Sequence, residues 1–351
     1  MPDSDGMRAW RVHRYGQPLE VLQLDQTALP DPGPDEVRVR VQGIPLNLND
    51  LERITGGNMM ARPEFPYSPG MEVMGVVDAC GTGAEVWAGK RVVATTKGAF
   101  GGFAEFAACP TAATFDMPDD IPLPGAAALY FPFHLAWLGL FDRAELAAGE
   151  SVLIHAAAGG SGSAAIQLAR NAGARVFATA GTDEKVQLCR ELGADIAINY
   201  TTEDFAEVVL AETGNAGVSV IFDNVGEAVV EKSMHCLGYN GRYLMMGFAS
   251  NKVVADEKFV VPRRVALGNF KLCGVLLNYQ SAAIVPTIKQ AMGWNVAPRE
   301  LGERISGQIV DLVRSKAVRP VVGQTVPFDQ LPAAMEAMAD RATTGRTIVM
   351  V

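Results

Sequence analysis

The chain has 351 residues, of which 49% are apolar, and its formal net charge is −9 at pH 7. A chain of this length predicts two domains rather than one, and its acidic balance argues against nucleic acid or an anionic membrane as the main partner. The five cysteines are scattered without a CxxC pair, which argues against a disulfide framework or a clustered zinc site. Because the sequence has no signal-peptide pattern and no apolar run long enough to span a bilayer, we expect a cytoplasmic protein.

Residues 7–115 are predicted to form a β-rich module. The segment EVRVRVQGI (36–44) alternates polar and apolar residues, as a half-buried strand does. The segments EVMGVVDAC (72–80) and KRVVAT (90–95) are further predicted strands, and glycine and proline separate them. The pattern is typical of a compact barrel or sandwich.

The pattern changes near residue 120, and residues 124–146 are predicted to be helical. Beyond them, apolar strands alternate with helices, which predicts a parallel sheet covered on both faces. The predicted strands are 151–157, 175–180, 195–200, 218–225, 241–247 and 272–278, with helices over 161–173 and 182–192. We therefore expect a doubly wound α/β domain with about six strands, the layout that binds nucleotides.

The C-terminal part of the chain departs from this alternation. Amphipathic helices are predicted over 303–318 and 330–343, and TIVMV (347–351) is predicted to be a short strand. This tail has the elements needed to complete the β-rich first module.

The segment IHAAAGGSGSAA (154–165) carries the first sign of function. A predicted strand ends there, a glycine-rich turn follows, and a helix of small residues begins. Bare backbone amides and the positive end of a helix dipole at such a turn bind a pyrophosphate. The sequence therefore predicts a dinucleotide site at the turn, with cofactor contacts from Ala158, Gly159, Gly160, Ser161 and Gly162.

The end of the second predicted strand bears on the choice of cofactor. Sites for NAD place an Asp or Glu there to bind the ribose 2′-hydroxyl, but this chain has Ala180 in VFATAGTDEK. The missing carboxylate and the nearby Lys185 favour NADPH, with Gly181 and Thr182 as further contacts. Asp183 and Glu184 argue the other way, although acidic residues are common in the first turn of a helix for dipole reasons alone.

Together with the β-rich front, the segments AAAGGSGSAAIQLAR, ELGADIAINY, FDNVG and SPGMEVMG resemble the medium-chain dehydrogenase/reductase family. The similarity covers nearly the whole chain and is greatest to the zinc-independent quinone oxidoreductases. The resemblance implies a GroES-like catalytic domain split around a Rossmann domain, NADPH as cofactor, and a site in the cleft between the domains. It implies these boundaries: 1–125 for the first part of the catalytic domain, 126–278 for the Rossmann domain, and 279–351 for the returning segment.

Zinc-dependent members of the family hold a catalytic metal with a Cys and a His. In this sequence Asn47 matches the Cys position and Met71 the His position, and neither residue type is a plausible zinc ligand. The resemblance therefore implies that no metal is bound. It also implies that Met71 lines an apolar pocket and that Glu72 has a structural role, holding the turn or a neighbouring backbone.

Relatives without a metal reduce activated acceptors, such as quinones and α,β-unsaturated carbonyls, and hydrogen-bond donors stabilise the charge that builds on the acceptor oxygen. The resemblance suggests Asn47 as a donor to the substrate oxygen or the nicotinamide carboxamide, and Asp50 as a residue that orients its neighbours. Two hydroxyl groups frequent in this branch are absent, because the chain has Glu52 and Leu135 at those positions. The proton donor is then open between water and the nearby His134 and Tyr130.

Further cofactor contacts follow from strand ends, where open α/β sheets bind their ligands. Tyr200 is expected beside the adenosine. The expected contacts from the next two strand ends are Asn224, Val225, Gly247, Phe248 and Ala249. By contrast, His155 has no evident Ser or Asp partner and is interpreted as structural.

Two other functions remain open from the sequence. One is an enoyl-thioester reductase of a polyketide-like pathway, and the other is an NADPH-binding protein with little turnover. The family resemblance also implies a homodimer. Segment 272–278 is the last strand of the predicted sheet, and because such an edge is exposed unless it is paired, we expect it to pair with the same strand of a second subunit.

Overall fold

The computed structural model describes residues 6–57, 62–246, 262–340 and 342–351. By internal contacts the chain divides into two units. The first unit holds residues 1–130, 278–310 and 322–351, and the second holds 131–277 and 311–321. The sequence-based boundaries placed 311–321 in the returning segment. In the structure this stretch belongs with the second unit, where the Gln167 side chain bonds both backbone groups of Arg319, at 2.8 Å and 3.0 Å.

The first unit is built on a seven-stranded sheet. Its first strand in chain order is the segment predicted over residues 36–44. Val37, Val39 and Val41 of that segment are buried on one face, as the alternation predicts. The elements up to residue 116 are β1 Gly6–Val12, α1 Pro18–Val21, β2 Leu22–Ala28, β3 Glu36–Pro45, α2 Leu48–Thr55, β4 Glu72–Cys80, β5 Arg91–Thr95, β6 Phe106–Pro110 and β7 Thr114–Asp116.

The second unit is an α/β layer structure around a six-stranded sheet. Its elements are α3 Tyr130–Trp137, a π-helix Leu138–Arg143, β8 Ser151–Ile154, α4 Gly160–Asn171, β9 Arg175–Ala180, α5 Asp183–Glu191, β10 Ile196–Asn199, α6 Phe205–Glu212, β11 Val218–Asp223, α7 Val230–His235, β12 Leu237–Met245, α8 Pro262–Gly268 and β13 Lys271–Gly274. The strand order is β10-β9-β8-β11-β12-β13, and every pair is parallel. The predicted doubly wound sheet of about six parallel strands is thereby confirmed.

The remaining elements are β14 Tyr279–Gln280, α9 Val285–Met292, β15 Ala297–Pro298, α10 Arg299–Arg314, β16 Val322–Pro327, α11 Leu331–Ala339 and β17 Arg346–Met350. Strand β17 lies between β16 and β3 in the sheet of the first unit. It pairs antiparallel with β3, with Ile348 opposite Pro45 and Met350 opposite Gly43. The end of the sequence therefore supplies an internal strand of the sheet that begins near residue 36.

Some element bounds differ from the prediction. The single helix expected over 124–146 is broken into a short 3-10 turn, α3 and the π-helix. Strand β12 begins at Leu237 rather than at residue 241, and β13 ends at Gly274, so that residues 275–278 lie outside the strand. Within the described part of the chain, no helix combines the length and apolar character that a bilayer crossing requires.

Candidate functional site

The glycine-rich turn of the second unit joins β8 to α4. Gly159 is the N-cap of α4 and brings no side chain to cap the first N–H groups of the helix. A Cβ atom on Gly162 would lie 2.4 Å from the carbonyl oxygen of Ala156 and 2.6 Å from Cα of Ala157. Only glycine therefore lets the first turn of the helix pack this closely on the loop. The turn offers uncapped amides to an anion, which is the arrangement that a dinucleotide pyrophosphate requires.

The end of β9 brings four of the predicted cofactor residues into one region. Thr182 caps α5 by accepting a hydrogen bond from the N–H of Lys185 at 3.3 Å. A Cβ on Gly181 would lie 2.6 Å from the Tyr200 hydroxyl, so the missing side chain makes room for the half-exposed Tyr200. Asp183 is turned aside, because its carboxylate accepts a bond of 2.7 Å from the Asn199 amide.

The loop that follows β11 is held by a residue that sequence reasoning did not single out. Asp223 accepts hydrogen bonds from the N–H groups of Val225 at 2.7 Å and Gly226 at 3.0 Å. This fixes the backbone of Asn224 and Val225, both predicted cofactor contacts. An Asp side chain that accepts the backbone N–H groups two and three residues later forms a known turn, and this pattern would have identified Asp223. The predicted contacts Gly247, Phe248 and Ala249 lie outside the described residues.

The first unit buries four polar side chains together, which we call the tetrad: Asn47, Asp50, Glu72 and Arg346. Their exposed fractions are 4%, 0%, 1% and 7%. One Arg346 nitrogen, Nη2, lies 2.5 Å from Oε2 of Glu72, and the other, Nη1, donates to Oδ1 of Asn47 at 2.8 Å. The Asn47 amide donates to Glu72 Oε2 and to the Pro45 carbonyl, both at 3.1 Å. Asn47, at the N-cap of α2, Glu72 of β4 and Arg346 of β17 are therefore bonded to one another, and Asp50 of α2 joins them through the backbone N–H of Asn47.

Asp50 links the start of α2 to the turn that carries Met71. One carboxylate oxygen accepts the N–H of Asn47 and the other that of Met71, each at 3.1 Å. Burial raises the pKa of Asp50 to about 6, against the attraction of Arg53 and the two backbone donors. Asp50 thus holds two backbone segments together, and the orienting role expected of it stays a prediction.

The structure changes the picture of Asn47 and Glu72. Both N–H groups and the carbonyl oxygen of the Asn47 side chain have partners inside the protein. To donate to a substrate, Asn47 must exchange its bond to Pro45 or Glu72, and that role stays a prediction. Glu72 binds the side chains of Arg346 and Asn47, and its expected role in holding the turn or a neighbouring backbone stays a prediction.

Arg346 is the tetrad member that the sequence reasoning missed. It is separated from Glu72 by 274 residues. The only local signal was a single basic residue at the start of an apolar strand, which implies a buried partner. Among the described residues, no three His, Cys, Asp or Glu side chains are grouped to hold a metal ion. Met71 is buried at 8% exposure beside this network.

The two residues that were candidates for the proton donor, His134 and Tyr130, are both buried. Burial lowers the pKa of His134 to about 3, so its imidazole is neutral near pH 7 and is no general acid as imidazolium. The Tyr130 hydroxyl accepts a bond from Thr95 at 3.1 Å, and burial raises its pKa.

Acid should destabilise the second unit. Burial depresses the pKa of His134 to about 3 and of His155 to about 4, whereas an unfolded histidine titrates near 6.5. The stability that the second unit gains from two neutral histidines is fully present above pH 6.5. It is lost as the pH falls toward 4, because the unfolded state then binds more protons than the folded state. Between pH 7 and pH 5 we expect the unit to lose on the order of 3 kcal/mol.

Native-state hydrogen exchange of β8 and β11 amides, corrected for intrinsic rates, measures this loss. Asp50 in the first unit changes the stability in the opposite direction. Its pKa is raised, so its contribution to the free energy of unfolding is present at low pH and is lost as the pH rises through about 6. Amides of β3 and β4 in the first unit are therefore the internal comparison. Protection of β8 and β11 that stayed constant or increased on acidification would contradict the expectation.

Comparison with known proteins gives consistent matches over the whole chain. The family model for the alcohol dehydrogenase GroES-like domain matches residues 33–119, and that for zinc-binding dehydrogenase matches 160–297. The chain is 33% identical to a quinone oxidoreductase of Rattus norvegicus, over 94% of this chain and 93% of the relative. It is 29% identical to a 2-haloacrylate reductase of a Burkholderia species, over 97% of both chains. The solved quinone oxidoreductase of Escherichia coli, complexed with NADPH, superposes with a TM-score of 0.84 at 27% identity, covering 98% of this chain and 100% of that one.

Proposed function

We propose a function on the premise that this chain belongs to the quinone oxidoreductase-like branch of the medium-chain dehydrogenase/reductase family. The protein is an NADPH-dependent oxidoreductase that reduces quinones or α,β-unsaturated carbonyls without a metal, acting on small molecules in the cytoplasm. The glycine-rich turn at Gly162 carries the proposal, because a side chain there would collide with the backbone of Ala156, and the uncapped amides of this close turn suit a pyrophosphate.

NADPH supplies a hydride when it is bound. Residues 158–162 are proposed to hold its pyrophosphate through backbone amides. Lys185, Thr182 and Gly181 are proposed to hold the 2′-phosphate, with Tyr200 beside the adenosine. The bond from Asn199 supports this choice, because the Asp183 carboxylate is already engaged by that amide and not by a ribose 2′-hydroxyl, which the acidic residue of an NAD site would bind.

The tetrad supports chemistry without a metal. The Arg346 guanidinium is paired with Glu72 and Asn47. The family resemblance matches Asn47 to the Cys of the metal site, and Glu72 directly follows Met71, which it matches to the His. A guanidinium held in this way stabilises the fold. Unlike a catalytic metal ion, it has no open ligand position at which a substrate carbonyl could be bound and polarised. The acceptor must therefore be activated already, as a quinone or a conjugated enone is.

Cofactor and acceptor preferences test the proposal directly. We expect a lower dissociation constant for NADPH than for NADH, by fluorescence titration. NADPH consumption should be fast with 1,4-benzoquinone or 9,10-phenanthrenequinone and slow with a crotonyl thioester, and should not change after treatment with 1,10-phenanthroline. A dissociation constant for NADH equal to or below that for NADPH would contradict the cofactor assignment, and loss of activity with the chelator would contradict metal independence.

One observation favours a second candidate, an NADPH-binding protein with little turnover. All polar atoms of the Asn47 side chain are bonded within the protein, so the expected substrate donor is engaged. Tight NADPH binding without consumption on any acceptor would select this candidate. Preferential consumption with the crotonyl thioester would instead select the enoyl-thioester reductase.

We further propose that the protein is a homodimer joined at β13. This strand is hydrogen-bonded to β12 on one side only among the described strands, and Leu267, Leu272 and Leu276 nearby are 76%, 37% and 46% exposed. An open, partly apolar edge of this kind is usually paired or covered. Light scattering tests the proposal, and the mass of a single chain would contradict it.

A further inference from the structure

Asn199 ends β10 and lies directly opposite Ala180 in the parallel pairing of β10 with β9. Ala180 is the position at which a site for NAD carries its acidic residue. The backbone N–H of Tyr200 donates to the carbonyl of Ala180 at 3.1 Å, so the two strand ends stay together beyond the last paired residue. Asn199 is therefore beside the end of β9, and it is only 7% exposed.

The hydrogen bonds of the Asn199 side chain fix the orientation of its amide group. Its Oδ1 accepts the backbone N–H of Thr201 at 3.1 Å and the Thr201 hydroxyl at 2.6 Å. Because a backbone N–H can only donate, the atom that it meets is the amide oxygen, and the amide nitrogen is at the other end of the group. That nitrogen donates to Oδ1 of Asp183 at 2.7 Å. The turn after β10 thus makes Asn199 present a donor to Asp183.

The backbone of Asn199 is held as firmly as its side chain. Its N–H donates to Oε2 of Glu203 at 3.1 Å. Its carbonyl accepts the backbone N–H of Thr202 at 3.1 Å and that of Glu203 at 2.9 Å. A donor on a backbone fixed in this way is preorganised, so little conformational freedom is lost when it binds a carboxylate.

Asp183 is an exposed acidic residue in the segment assigned to the 2′-phosphate. It directly follows Thr182, the N-cap of α5, and precedes Lys185 by two residues, and both of these are proposed to hold the phosphate. An acidic side chain is therefore present at the end of β9, but it comes from the first turn of α5 and is bound to β10.

We propose that Asn199 sets the preference for NADPH over NADH by holding the Asp183 carboxylate against β10. In that position Oδ1 of Asp183 accepts the Asn199 amide and not a ribose 2′-hydroxyl, which is the hydrogen bond that selects NAD. A released carboxylate would accept the 2′-hydroxyl of NADH and repel the 2′-phosphate of NADPH. This proposal rests on the proposed function, and it makes a residue that is not itself an assigned cofactor contact the determinant of cofactor choice.

The first experiment removes the amide with Asn199→Ala and measures both dissociation constants by fluorescence titration of the full chain. The cofactor quotient, defined as the constant for NADH divided by that for NADPH, should fall about tenfold, the size of one hydrogen bond to a charged group. In Asn199→Ala/Asp183→Ala the quotient should return toward its original value, because no carboxylate is left to release. Removing a second side chain would not repair a loop that was merely distorted. An unchanged quotient in Asn199→Ala, or no recovery in the double variant, would overturn the proposal.

Two single variants are the controls. Asp183→Ala alone should leave the affinity for NADH unchanged, because the carboxylate is held against β10 in the unmodified protein. Glu203→Ala removes the acceptor of the Asn199 backbone N–H and keeps the bond to Asp183. It should lower the melting temperature without changing the cofactor quotient. Weaker binding of NADH by Asp183→Ala, or an equal fall of the quotient in Glu203→Ala, would contradict the role of Asn199.

A second pair of variants keeps the proposal testable if Asn199→Ala does not fold. Asn199→Asp has nearly the same shape and keeps an oxygen for the two Thr201 bonds, but it replaces the donor by a second carboxylate facing Asp183. The cofactor quotient should fall. The exchange variant Asn199→Asp/Asp183→Asn restores a donor and an acceptor with their roles reversed, so the quotient should rise again. A quotient that stayed low in the exchange variant would refute the proposal.

The proposed function and the role of Asn199 fail in different ways. A preference for NADPH without turnover on any acceptor would end the proposed catalytic function and leave the role of Asn199 intact. Normal turnover with an unchanged cofactor quotient in Asn199→Ala would leave the function intact and end the role of Asn199.

Discussion

Replacing Arg346 by Met should destabilise the first unit by about 3–5 kcal/mol, because Glu72 would stay buried after losing its guanidinium. The two side chains are 8% and 1% exposed, and their charged atoms lie 2.5 Å apart. The substitution also removes the donor to Asn47 Oδ1. Two polar groups in the interior would therefore each lose a partner, and a buried polar group without its partner is costly.

Urea unfolding followed by signals of the first unit measures the loss. The double variant Glu72→Gln/Arg346→Met should recover a large part of it, since no buried charge is then left in the pair. Lys97→Met is the matched control, because Lys97 is 64% exposed in its pair with Glu36 and should cost less than about 1 kcal/mol. A loss below about 1 kcal/mol for Arg346→Met would show that the pair does not stabilise this unit.

Gly162→Ala should raise the dissociation constant for NADPH by at least about 30-fold. The new methyl group would meet the backbone oxygen of Ala156 at 2.4 Å, so the helix must move away from the loop. Displaced amides lose charge-assisted hydrogen bonds to the pyrophosphate, each worth about 1.5–3 kcal/mol. Fluorescence titration with NADPH measures the change.

Gly307→Ala provides the control for this substitution. Gly307 lies exposed in α10, and a Cβ there has no atom within 4 Å. The control should stabilise the protein by up to about 1 kcal/mol through helix propensity and leave NADPH affinity unchanged. If Gly162→Ala folded and bound NADPH within threefold of the unmodified chain, the assignment of the turn to the pyrophosphate would be wrong.

The sequence predicted what depends on local pattern. Alternating valines mark β3, apolar strands between helices mark the parallel sheet, and the glycines of residues 159–162 mark the turn, because each property is set by near neighbours along the chain. The exact ends of helices and strands were less predictable, as the π-helix Leu138–Arg143 shows.

The partners of buried polar residues were not predictable from local pattern. Arg346 and Glu72 meet across 274 residues, and His155 and Ser233 across 78. Pairing over such distances depends on the topology of the sheets and on which faces pack together. For the same reason the bonds of the Asn47 side chain to Pro45, Glu72 and Arg346 were not predicted, and its role as a donor to the substrate or the nicotinamide stays a prediction.

The position of β17 between β16 and β3 has a consequence for biosynthesis. Asn47 and Arg346 are separated by 299 residues, so a ribosome has made nearly all of the chain before the cation of the tetrad exists. Domains fold as units while synthesis proceeds, and both segments of the second unit lie between Asn47 and Arg346 in the sequence. During that interval Glu72 and Asn47 lack the guanidinium of Arg346, and residues 43–45 of β3 lack the strand that pairs with them in the finished sheet. The sheet of the first unit is thus completed only after the residues of the second unit have been made.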